Sequence, residues 1–436
     1  MKARKGKYFP FGAHVPGNKE LSSGSMIEAL PPQEFLTINV CQHIGAPAIP
    51  VVEVGDNVKK GQLIAKEGGF VSANVYSPIS GEVVDISAKQ NATGAMQTHI
   101  TVKNDFLNEE VFLPNMVEIT PSSIIERIRL AGIVGLGGAG FPTAVKLMPK
   151  DPVDTLIING AECEPYLTCD HRLMIEKTDE IYKGIIYLKK ALNVDKVIVA
   201  IEKNKPDAIS LFERFDDLDV VILKKQYPMG SEKHLIYVCT GKKVGLGQLP
   251  ASVGCVVQNI KTAIAVYNAI ELNKPLYEGV LTVSGHGINT PKNLLVPYGA
   301  SLKTIIEYCG GVVDDSVKYV AGGPMMGKAI INLDVYTKKT DSGLLALIKG
   351  EDDDNLPTNC INCGKCVSTC PMRLTPVLME FYINAKDFKQ AEKLGVMNCI
   401  ECGSCAYNCP AKRALTQSFA YAKAKIKEIN AKETAK

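Results

Sequence analysis

Short runs of apolar and β-branched residues, separated by glycine-containing turns, occupy the first hundred residues. Residues 35–40 and 50–54 are two such runs, and their length is typical of strands. Residues 55–64 and 77–86 share one pattern, in which glycines at turns are flanked by alternating apolar positions. This pattern predicts a small unit of two β-sheets within residues 1–110.

The spacing of this β unit resembles that of biotinyl- and lipoyl-type barrel-sandwich domains. Those domains carry a modifiable lysine at a hairpin tip, in a Met-Lys-Met or Asp-Lys-Ala sequence, and neither tripeptide occurs here. Lys66 is the nearest candidate for such an attachment. The resemblance therefore favours a structural unit over a carrier of a covalent cofactor.

Residues 111–275 alternate between helical patterns and apolar strands. Ser122 or Ser123 is placed to cap a helix over residues 124–130. Strands are predicted at 155–158, 196–201 and 220–223, with helices near 171–192 and 206–215 between them. Strands that alternate with helices indicate an α/β layer with a largely parallel sheet.

The rest of the chain divides into a β-rich part and a helical part. Short strands and one helix at 302–308 predict a small α+β module over residues 276–345. The acidic run 351–355 is typical of a solvated linker. Helices are predicted for three further stretches, namely 375–384, 386–394 and the charged, alanine- and lysine-rich tail at 416–436.

The composition is that of a globular chain with nearly balanced charge. Of 436 residues, 46% are apolar and 22% are charged, and 49 basic residues against 46 acidic ones give a net charge of +3. So small a surplus argues against nucleic acid as the main partner. No apolar run is long enough to span a bilayer, and residues 1–10 lack the apolar core of a secretory signal. We therefore expect a protein without a membrane span that stays in the compartment where it is made.

The 14 cysteines are unevenly placed, because eight of them lie between residues 360 and 409. They form two copies of a Cys-x2-Cys-x2-Cys-x3-Cys-Pro run, which end at Pro371 and Pro410. This run is the ligand pattern of [4Fe–4S] clusters in bacterial ferredoxins, where three closely spaced thiolates on one loop reach three irons. Structural zinc is the alternative, but zinc sites use pairs of ligands with longer gaps between the pairs.

The fourth cysteine of each run follows the loop and, in two-cluster ferredoxins, binds the other cluster. One cluster is accordingly assigned to Cys360, Cys363, Cys366 and Cys409. The other cluster is assigned to Cys370, Cys399, Cys402 and Cys405.

A glycine-rich loop at 135–140 matches G-x-G-x-x-G through Gly135, Gly137 and Gly140. The dinucleotide fingerprint also needs a strand before the loop and a helix after it. Here a helix precedes the loop and the strand comes later, so we reject that interpretation. Glycine still lets backbone N–H groups approach a phosphate, and Pro142 opens a short helix whose N-terminus favours anions. A plain tight turn explains the loop alone equally well.

Two acidic residues follow the next predicted strand, in the sequence Asn159-Gly160-Ala161-Glu162-Cys163-Glu164-Pro165. Ligands bind at strand ends in α/β sheets. The Glu162 and Glu164 side chains point the same way if this segment stays extended. A solvated loop is the alternative interpretation.

Taken together, these motifs resemble a known family. Residues 135–146 and 159–165 resemble the flavin- and NADH-binding subunit of respiratory complex I, and so do residues 227–232 and 256–262. With the β-rich N-terminus, which starts with residues 9–14, and the paired cysteine runs, nearly the whole chain is similar to the RnfC family of the Rnf electron-transport complex.

The resemblance implies a multidomain chain that combines α/β and α+β parts. These are an N-terminal barrel-sandwich-like β domain (1–110), a central Rossmann-like α/β domain for flavin and NADH (111–275), a soluble-ligand-binding β-grasp module (276–345), a C-terminal α-helical ferredoxin-like domain with two clusters (346–415) and a charged tail (416–436). The β-grasp module, matched over residues 280–330, is expected to serve packing, and His286 within it is expected to be structural.

The resemblance also implies FMN, NAD(H) and two [4Fe–4S] clusters as cofactors, with FMN taking hydride from NADH and passing electrons singly to the clusters. The implied FMN contacts are Gly135, Gly137, Gly138, Lys146 and Asn159 on the phosphate and ribityl side, completed by Tyr227, Gly230, Gln258 and Asn259. Phe141 would stack on the reacting nucleotide, Glu164 and Glu232 would hydrogen-bond it, and Glu162 belongs to the same site.

Some positions depart from the complex I pattern. That pattern has arginine at Leu136, aspartate at Ala161, serine at Cys163 and a second glutamate at Ser231, and its protein holds one cluster rather than two. The missing charges concern the NAD contacts more than the FMN contacts. Cys163 lies in the expected nucleotide pocket.

The implied function is electron entry into a membrane-bound, ion-motive ferredoxin:NAD oxidoreductase, from a peripheral position on the cytoplasmic side of the cell membrane. The implied partners are integral-membrane and ferredoxin-binding subunits of the same complex, with ferredoxin itself reached indirectly. One alternative is a cobalamin reductase of the propanediol-utilisation type, in which the β-rich module is expected at the other end of the chain. A second alternative is a non-enzymatic iron–sulfur relay, supported by the missing charges at Leu136 and Ala161.

Overall fold

The computed structural model describes residues 3–92, 94–138, 140–313, 318–351 and 356–434. Residues 352–355 of the predicted linker, Ala139 of the glycine loop and the last two residues of the tail lie outside these ranges.

The first hundred residues form nine strands. They are β1 (Arg4–Lys5), β2 (Ile27–Ala29), β3 (Phe35–Asn39), β4 (Ile49–Pro50), β5 (Asn57–Val58), β6 (Leu63–Lys66), β7 (Val75–Tyr76), β8 (Gly81–Gln90) and β9 (Met96–Asn104).

Helices and strands alternate in the middle of the chain. They are α1 (Pro121–Leu130), α2 (Thr143–Lys146), β10 (Thr155–Gly160), α3 (Cys169–Glu176), α4 (Thr178–Leu192), β11 (Lys196–Glu202), α5 (Pro206–Phe212), β12 (Asp219–Leu223), α6 (Glu232–Thr240), β13 (Cys255–Asn259) and α7 (Ile260–Glu271).

The last third begins with strands and ends with helices. Its elements are β14 (Glu278–Ser284), β15 (Lys292–Pro297), α8 (Leu302–Tyr308), β16 (Lys318–Ala321), β17 (Lys328–Ile330), β18 (Gly343–Leu347), α9 (Lys365–Thr369), α10 (Pro376–Asn384), α11 (Phe388–Lys393), α12 (Ser404–Tyr407) and α13 (Leu415–Thr434).

The predicted two-sheet unit is present near the N-terminus. A four-stranded antiparallel sheet in the order β3-β9-β8-β5 accompanies a three-stranded antiparallel sheet in the order β4-β6-β7. Leu36, Ile64 and Ile100 are fully buried in its core. Lys66 pairs with Ile49 inside a sheet rather than standing at a hairpin tip, which agrees with the structural interpretation of that lysine.

The central sheet has the parallel pairing that the sequence predicts. Its order is β1-β12-β11-β10-β13, and all four pairings are parallel. Alternate residues of β10 enter different cores, with Leu156 and Ile158 on the face of α1, α4 and α7 and Ile157 on the face of α6. Because both faces are covered, the central positions of β10, β11, β12 and β13 are apolar, whereas the edge strand β1 consists of Arg4 and Lys5.

Helix α1 begins one turn earlier than the sequence suggests. Pro121 occupies its first position, and Thr120 rather than Ser122 or Ser123 is the capping residue. The Thr120 side chain accepts from the Ser123 N–H, while the Ser123 hydroxyl accepts from the Thr120 N–H. Proline lacks an N–H and suits the first helical position, so the cap moves to the residue before it.

The first thirty residues join sheets formed by later parts of the chain. Strand β1 adds an edge to the central sheet beside β12. Strand β2 pairs with β15 at the edge of a mixed six-stranded sheet in the order β17-β16-β18-β14-β15-β2. The domain limits expected from the sequence stay predictions, but this pairing ties the N-terminus to both later units.

The C-terminal part is helical, as predicted. Helices α10 and α11 lie between the two cysteine runs, and α13 packs against them through Phe419, Ala422 and Ile426. The second helix of the predicted pair is shorter than expected, because Asp387 caps it and it ends at Lys393. In the described part of the chain, no helix has both the length and the apolar character needed to cross a bilayer.

We predict that Gly184→Ala destabilises the fold, because α4 and α7 touch at this glycine. A Cβ placed on Gly184 would lie 1.9 Å from the carbonyl oxygen of Ala263 in α7. The helices would have to separate, at a cost of about 1–3 kcal/mol in the free energy of unfolding. Urea denaturation measures this cost. Gly24→Ala is the control, because no atom lies within 4 Å of the added Cβ there; equal stability of the two variants would contradict the prediction.

Candidate functional site

A cavity of about 690 Å³ lies at the carboxyl ends of β10 and β13. This is the edge of a parallel sheet at which ligands bind in α/β proteins. The cavity is lined by all thirteen residues that the sequence assigns to the nucleotide site: Gly135, Gly137, Gly138, Phe141, Lys146, Asn159, Glu162, Glu164, Tyr227, Gly230, Glu232, Gln258 and Asn259. The structure therefore brings together motifs that are more than a hundred residues apart.

The glycine loop closes on itself at one end of this central cavity. The Gly135 N–H donates to the carbonyl of Phe141 at 2.8 Å, and the Leu136 N–H donates to the Thr262 hydroxyl of α7 at 3.1 Å. Gly138 has a φ of +117°, a conformation that side chains with a Cβ disfavour, and no atom lies within 4 Å of the Cβ position. The loop thus leaves open space directly above its backbone.

The helix after the loop is shorter than the phosphate-binding hypothesis needs. Helix α2 comprises only the single turn Thr143–Lys146, so its dipole is small. Its Lys146 ammonium is also engaged, since it lies 2.6 Å from Glu232 Oε1. Lys146 and Glu232 therefore form one ion pair on the cavity wall instead of two separate ligand contacts.

Two asparagines at the strand ends hold the wall together. Asn159 Nδ2 donates to the carbonyl of Gly230 at 2.9 Å, which ties β10 to the turn before α6. Asn259 caps α7 by accepting from the Lys261 N–H, and its Nδ2 donates to Asp170 Oδ2 at 2.8 Å. Their side-chain amides are therefore used within the protein, which shapes the cavity at the ends of both strands.

Glu162 and Glu164 do not point the same way, contrary to the expectation for an extended segment. Glu162 has a φ of +47°, so the chain turns there. Its carboxylate accepts from the Asp170 N–H at 2.7 Å and lies 3.7 Å from Lys19 Nζ and 4.0 Å from Lys205 Nζ. Glu162 is thus part of a buried charge cluster beneath the cavity.

This charge cluster disfavours a metal ion at a nearby group of metal-type ligands. One ligand atom each of Glu162, Cys169 and Asp170 lie within 4.8 Å of one another. The ammonium groups of Lys19 and Lys205 already balance the Glu162 carboxylate, and a cation placed there would be repelled by both. Burial raises the pKa of Glu162 and lowers the pKa of Lys205, while each opposite charge resists the change.

Glu164 reaches the opposite wall of the cavity. Its two carboxylate oxygens accept from the backbone N–H groups of Met325 and Met326, each at 3.0 Å. The Tyr227 hydroxyl lies 3.4 Å from the same carboxylate. Burial raises the pKa of Glu164 to about 7, although the two N–H donors favour its ionised form. Glu164 is therefore poised to gain or lose a proton near neutral pH.

Gln258 has a buried donor that the protein does not use. The side chain is 2% exposed, and its Nε2 makes no hydrogen bond with the described residues. A buried unpaired donor costs free energy unless a ligand or water accepts from it. Because Gln258 lines the cavity, this donor indicates a polar ligand.

Cys163 lines the same cavity, and its thiol is not activated. Its sulfur accepts from the Gly230 N–H at 3.4 Å. Burial raises the pKa of this thiol to about 12. The thiol is therefore protonated at neutral pH, and a nucleophilic role does not follow from its place in the pocket.

Among the parts of the cavity wall that sequence reasoning missed are two stretches of the module at 276–345. Residues 321–323 and 326–328 line the cavity, although their module was expected to serve packing alone, and so do residues 338 and 340–342. Both stretches reach the site through tertiary contacts with segments far away in sequence. The glycine run at 322–327 was the one available signal, because it marks a tight turn.

Four cysteines lie beside this wall and are called the buried set, because Cys370, Cys402 and Cys405 are buried and Cys399 is partly buried. Cys370, Cys399, Cys402 and Cys405 line one small cavity of about 20 Å³. Cys370 comes from the first run and the other three come from the second, so the grouping is the one assigned from sequence. The pKa of Cys399 is raised to about 11, mainly by burial and to a smaller extent by the neighbouring thiols of Cys402 and Cys370.

The other four assigned cysteines form a surface set. Cys360 and Cys363 are exposed, while Cys366 and Cys409 are partly buried. Burial raises the pKa of Cys366, and the nearby Cys409 thiol adds to this rise. The hydrogen bond to Glu380 raises the pKa of Arg413, and the thiols of Cys360 and Cys409 add to it. Arg413 is fixed by a 2.7 Å bond from its Nε to Glu380 Oε2.

The central cavity and the buried cysteine set share a wall. Ile400 lines both the central cavity and the small cysteine cavity, and its neighbours Cys399 and Glu401 line the cysteine cavity alone. A Cβ on Gly403 would lie 2.7 Å from the carbonyl oxygen of Met325, and this glycine has a φ of +78°. The second cysteine run therefore packs directly against the turn that holds Glu164.

Family models match four consecutive parts of the chain. In chain order they are described as the RnfC barrel sandwich hybrid domain (residues 7–107), the Nuo51 FMN-binding domain (128–268), the SLBB domain (280–329) and the 4Fe-4S dicluster domain (353–410).

Relatives with established names match nearly the whole chain. The C subunit of the proton-translocating ferredoxin:NAD(+) oxidoreductase complex of Clostridium ljungdahlii is 45% identical over 99% of this chain and 96% of its own length. The C subunit of the ion-translocating oxidoreductase complex of Rhodobacter capsulatus is 45% identical over 96% of this chain and 83% of its own. The C subunit of the Na(+)-translocating ferredoxin:NAD(+) oxidoreductase complex of Acetobacterium woodii is 38% identical over 96% and 97%.

Among solved structures, an NAD+-reducing [NiFe]-hydrogenase in the air-oxidized state is similar over 62% of this chain and 54% of its own. The TM-score is 0.46 at 20% identity, a likeness too distant to bear on function.

We predict that the Glu164→Gln variant becomes more stable relative to wild type as pH rises. The pKa of Glu164 is about 7 in the folded chain, above its ordinary value of 4.5, so the folded state binds more protons between these values. Wild-type stability therefore falls as pH rises from about 4.5 to 7, and a glutamine does not share this loss. The free energy of unfolding of the variant should gain about 2 kcal/mol on the wild type between pH 5 and pH 8.

Anaerobic urea denaturation at the two pH values measures this difference. Glu82→Gln, at an exposed side chain of β8, controls for the loss of one negative charge. A stability difference between Glu164→Gln and wild type that does not change with pH would contradict the prediction.

Proposed function

The chain belongs to the RnfC family of ion-translocating oxidoreductase complexes, and from that premise we propose that it is the electron-entry subunit of a membrane-bound ferredoxin:NAD oxidoreductase. It moves electrons between NAD(H) and two [4Fe–4S] clusters through FMN. The observation that carries this proposal is the wall shared by the central cavity and the buried cysteine set, on either side of Ile400.

The central cavity fits a flavin nucleotide in size and chemistry. Its volume of about 690 Å³ lies within the range of cofactor pockets. The loop at Gly138 leaves room for close approach of a phosphate or ribityl chain, and Gln258 presents a buried donor without a partner. A bound flavin would take two electrons from NADH and release them singly, because each cluster accepts only one.

The residues proposed for flavin are those of the glycine loop and the strand ends. They are Gly135, Gly137, Gly138, Lys146, Asn159, Tyr227, Gly230, Gln258 and Asn259. Asn159 and Asn259 act by holding their strand ends in place, since their amides bond within the protein.

NAD(H) is proposed to enter beside Phe141, Glu164 and Glu232. The Phe141 ring offers a flat apolar face to a planar ring. The Glu164 carboxylate offers an acceptor to ribose hydroxyls or the nicotinamide amide, and two backbone donors fix its position. Glu162 lies deeper, where its negative charge is balanced by Lys19 and Lys205.

The two cysteine sets fit the chemistry of [4Fe–4S] clusters. Each set supplies four thiols, with three from one run and one from the other. The buried set adjoins the cavity and the surface set contains the exposed Cys360 and Cys363. We therefore propose that electrons pass from the cavity to the buried set and leave through the surface set.

The position in the cell is proposed from the same premise. The protein would lie peripherally on the cytoplasmic side of the cell membrane. There it would dock to integral-membrane and ferredoxin-binding subunits, which move ions and exchange electrons with ferredoxin. Of the two alternatives, the cobalamin reductase is disfavoured because the barrel-sandwich match lies at residues 7–107, the end opposite to that expected for it. A relay without flavin is separated from the enzyme by flavin content together with NADH-driven reduction of ferricyanide.

We predict that Glu164→Ala raises the KM for NADH at least tenfold and leaves iron and flavin content unchanged. The loss of a charged acceptor to hydroxyl groups costs roughly 1.5–3 kcal/mol of binding. Steady-state NADH–ferricyanide activity measures KM, and iron and flavin are assayed in the same preparation. Glu82→Ala at the exposed β8 position is the control. Loss of iron in Glu164→Ala, with normal NADH binding, would show that the assignment is wrong.

We predict that cluster loss follows the two spatial sets and not the two sequence runs. Cys370→Ser and Cys402→Ser should remove the same electron paramagnetic resonance signal, because both residues belong to the buried set. Cys363→Ser and Cys409→Ser should remove the other signal, and all four variants should retain flavin. Cys41→Ser, at a partly buried cysteine outside both runs, should keep both clusters. The proposed ligand sets are wrong if Cys370→Ser and Cys363→Ser lose the same cluster.

A further inference from the structure

The segment 336–342, between β17 and β18, forms a wall of the central cavity that no motif identified. Its side chains alternate in burial, with Thr337 and Lys339 at 1% and 2% exposure and Lys338 and Thr340 less buried. The less buried residues of this 336–342 segment line the cavity, together with Asp341 and Ser342. Its inward charges therefore face the same space as the glycine loop.

The segment is fixed in place from behind. The buried Lys339 ammonium donates to the carbonyl of Asn74 at 2.6 Å and to the carbonyl of Gly132 at 2.8 Å. The Thr337 hydroxyl donates to the carbonyl of Pro297 at 2.9 Å. Residues that are held this firmly offer a preorganised surface to a ligand.

Its two cavity-facing charges stand at the ends of one turn. The Asp341 N–H donates to the carbonyl of Lys338 at 3.1 Å, and the Lys338 N–H donates to Asp341 Oδ2 at 2.9 Å. Burial raises the pKa of Asp341, although the nearby cations Lys338 and Lys261 favour its ionised form. A cation and an acceptor are thus presented side by side, as a ligand with a phosphate and neighbouring hydroxyls requires.

Lys338 differs from the other lysines at this end of the cavity. Lys146 is paired with Glu232 at 2.6 Å, and Lys261 Nζ donates to the Ser342 hydroxyl at 2.7 Å. The Lys338 ammonium has neither an ion pair nor a hydrogen bond with any residue that the structure describes. Lys338 is therefore the cation available to an anionic ligand there.

The neighbours of the segment place it at the phosphate end of the proposed flavin site. A Cβ on Gly140 of the glycine loop would lie 2.6 Å from Thr340 Cγ2. Ser342 contacts Lys261 in the first turn of α7, next to Asn259. The Glu164 end, by contrast, faces the cysteines through Met325.

We propose that Lys338 binds the phosphate of FMN and that Asp341 accepts a hydrogen bond from a ribityl hydroxyl. This inference rests on the proposed function and adds to it the wall that distinguishes FMN from unphosphorylated flavin. NADH also carries phosphates and hydroxyls, so the experiment separates the two nucleotides.

Flavin binding to the full chain, freed of flavin and with its clusters kept, tests the assignment. Quenching of flavin fluorescence gives the Kd for FMN and for riboflavin, which lacks the phosphate. Lys338→Ala should weaken FMN binding roughly tenfold to hundredfold and change riboflavin binding less than threefold. Asp341→Asn should weaken the binding of both flavins, and Lys338→Arg should restore most of the preference for FMN.

Lys303→Ala, at an exposed lysine of α8 in the same module, is the control and should bind both flavins as wild type does. Iron content checks that each variant is folded. The inference is overturned if Lys338→Ala keeps the wild-type preference for FMN, or if its defect is confined to the KM for NADH. Wild-type protein that binds no flavin and does not oxidise NADH would instead overturn the proposed function.

Discussion

The thin wall between the central cavity and the buried cysteine set is the constraint on which the arrangement depends. Electrons can move from a nucleotide to an iron–sulfur cluster only if the two sites adjoin. Here Ile400 lines both cavities, and Cys399 beside it lines the one that holds the other cysteines. The turn at Met325 contacts the backbone at Gly403 on one side and holds the Glu164 carboxylate on the other. The same turn at Met325 thus packs the cysteine run against the cavity and positions the Glu164 carboxylate.

Several charges around the cavity are already committed within the protein, and this division sets what a ligand can use. Glu162 is balanced by Lys19 and Lys205, and Lys146 is paired with Glu232. The contacts of Glu162 are buried and shape the site at a desolvation cost, whereas the Lys146–Glu232 pair is partly exposed. Among the described residues, the groups that a ligand can use include the Gln258 donor, the raised-pKa carboxyl of Glu164 and the 336–342 segment.

The sequence predicted the features that depend on residues close together in the chain. The eight cysteines could be assigned to two sets because the spacing within each run fixes which thiols share a loop. The parallel central sheet followed from the alternation of helices and apolar strands. The members of the proposed nucleotide site were implied by the family resemblance of four short motifs, and their individual roles remain proposals. Tertiary contacts decided the rest: Lys19 and Lys205 reach Glu162 from distant segments, and the left-handed turn at Glu162 separated two carboxylates expected to align. Pro121, which lacks an N–H, occupies the first position of α1, so Thr120 caps this helix instead of Ser122 or Ser123.

The proposed order of electron transfer can be tested by anaerobic rapid mixing with NADH, following each cluster by freeze-quench electron paramagnetic resonance. In Cys402→Ser, which is expected to lack the buried cluster, the surface cluster should stay oxidised while bound flavin is reduced. In Cys363→Ser, the buried cluster should be reduced at close to the wild-type rate. Reduction of the surface cluster at the wild-type rate in Cys402→Ser would contradict the order and remove the role given to the shared wall.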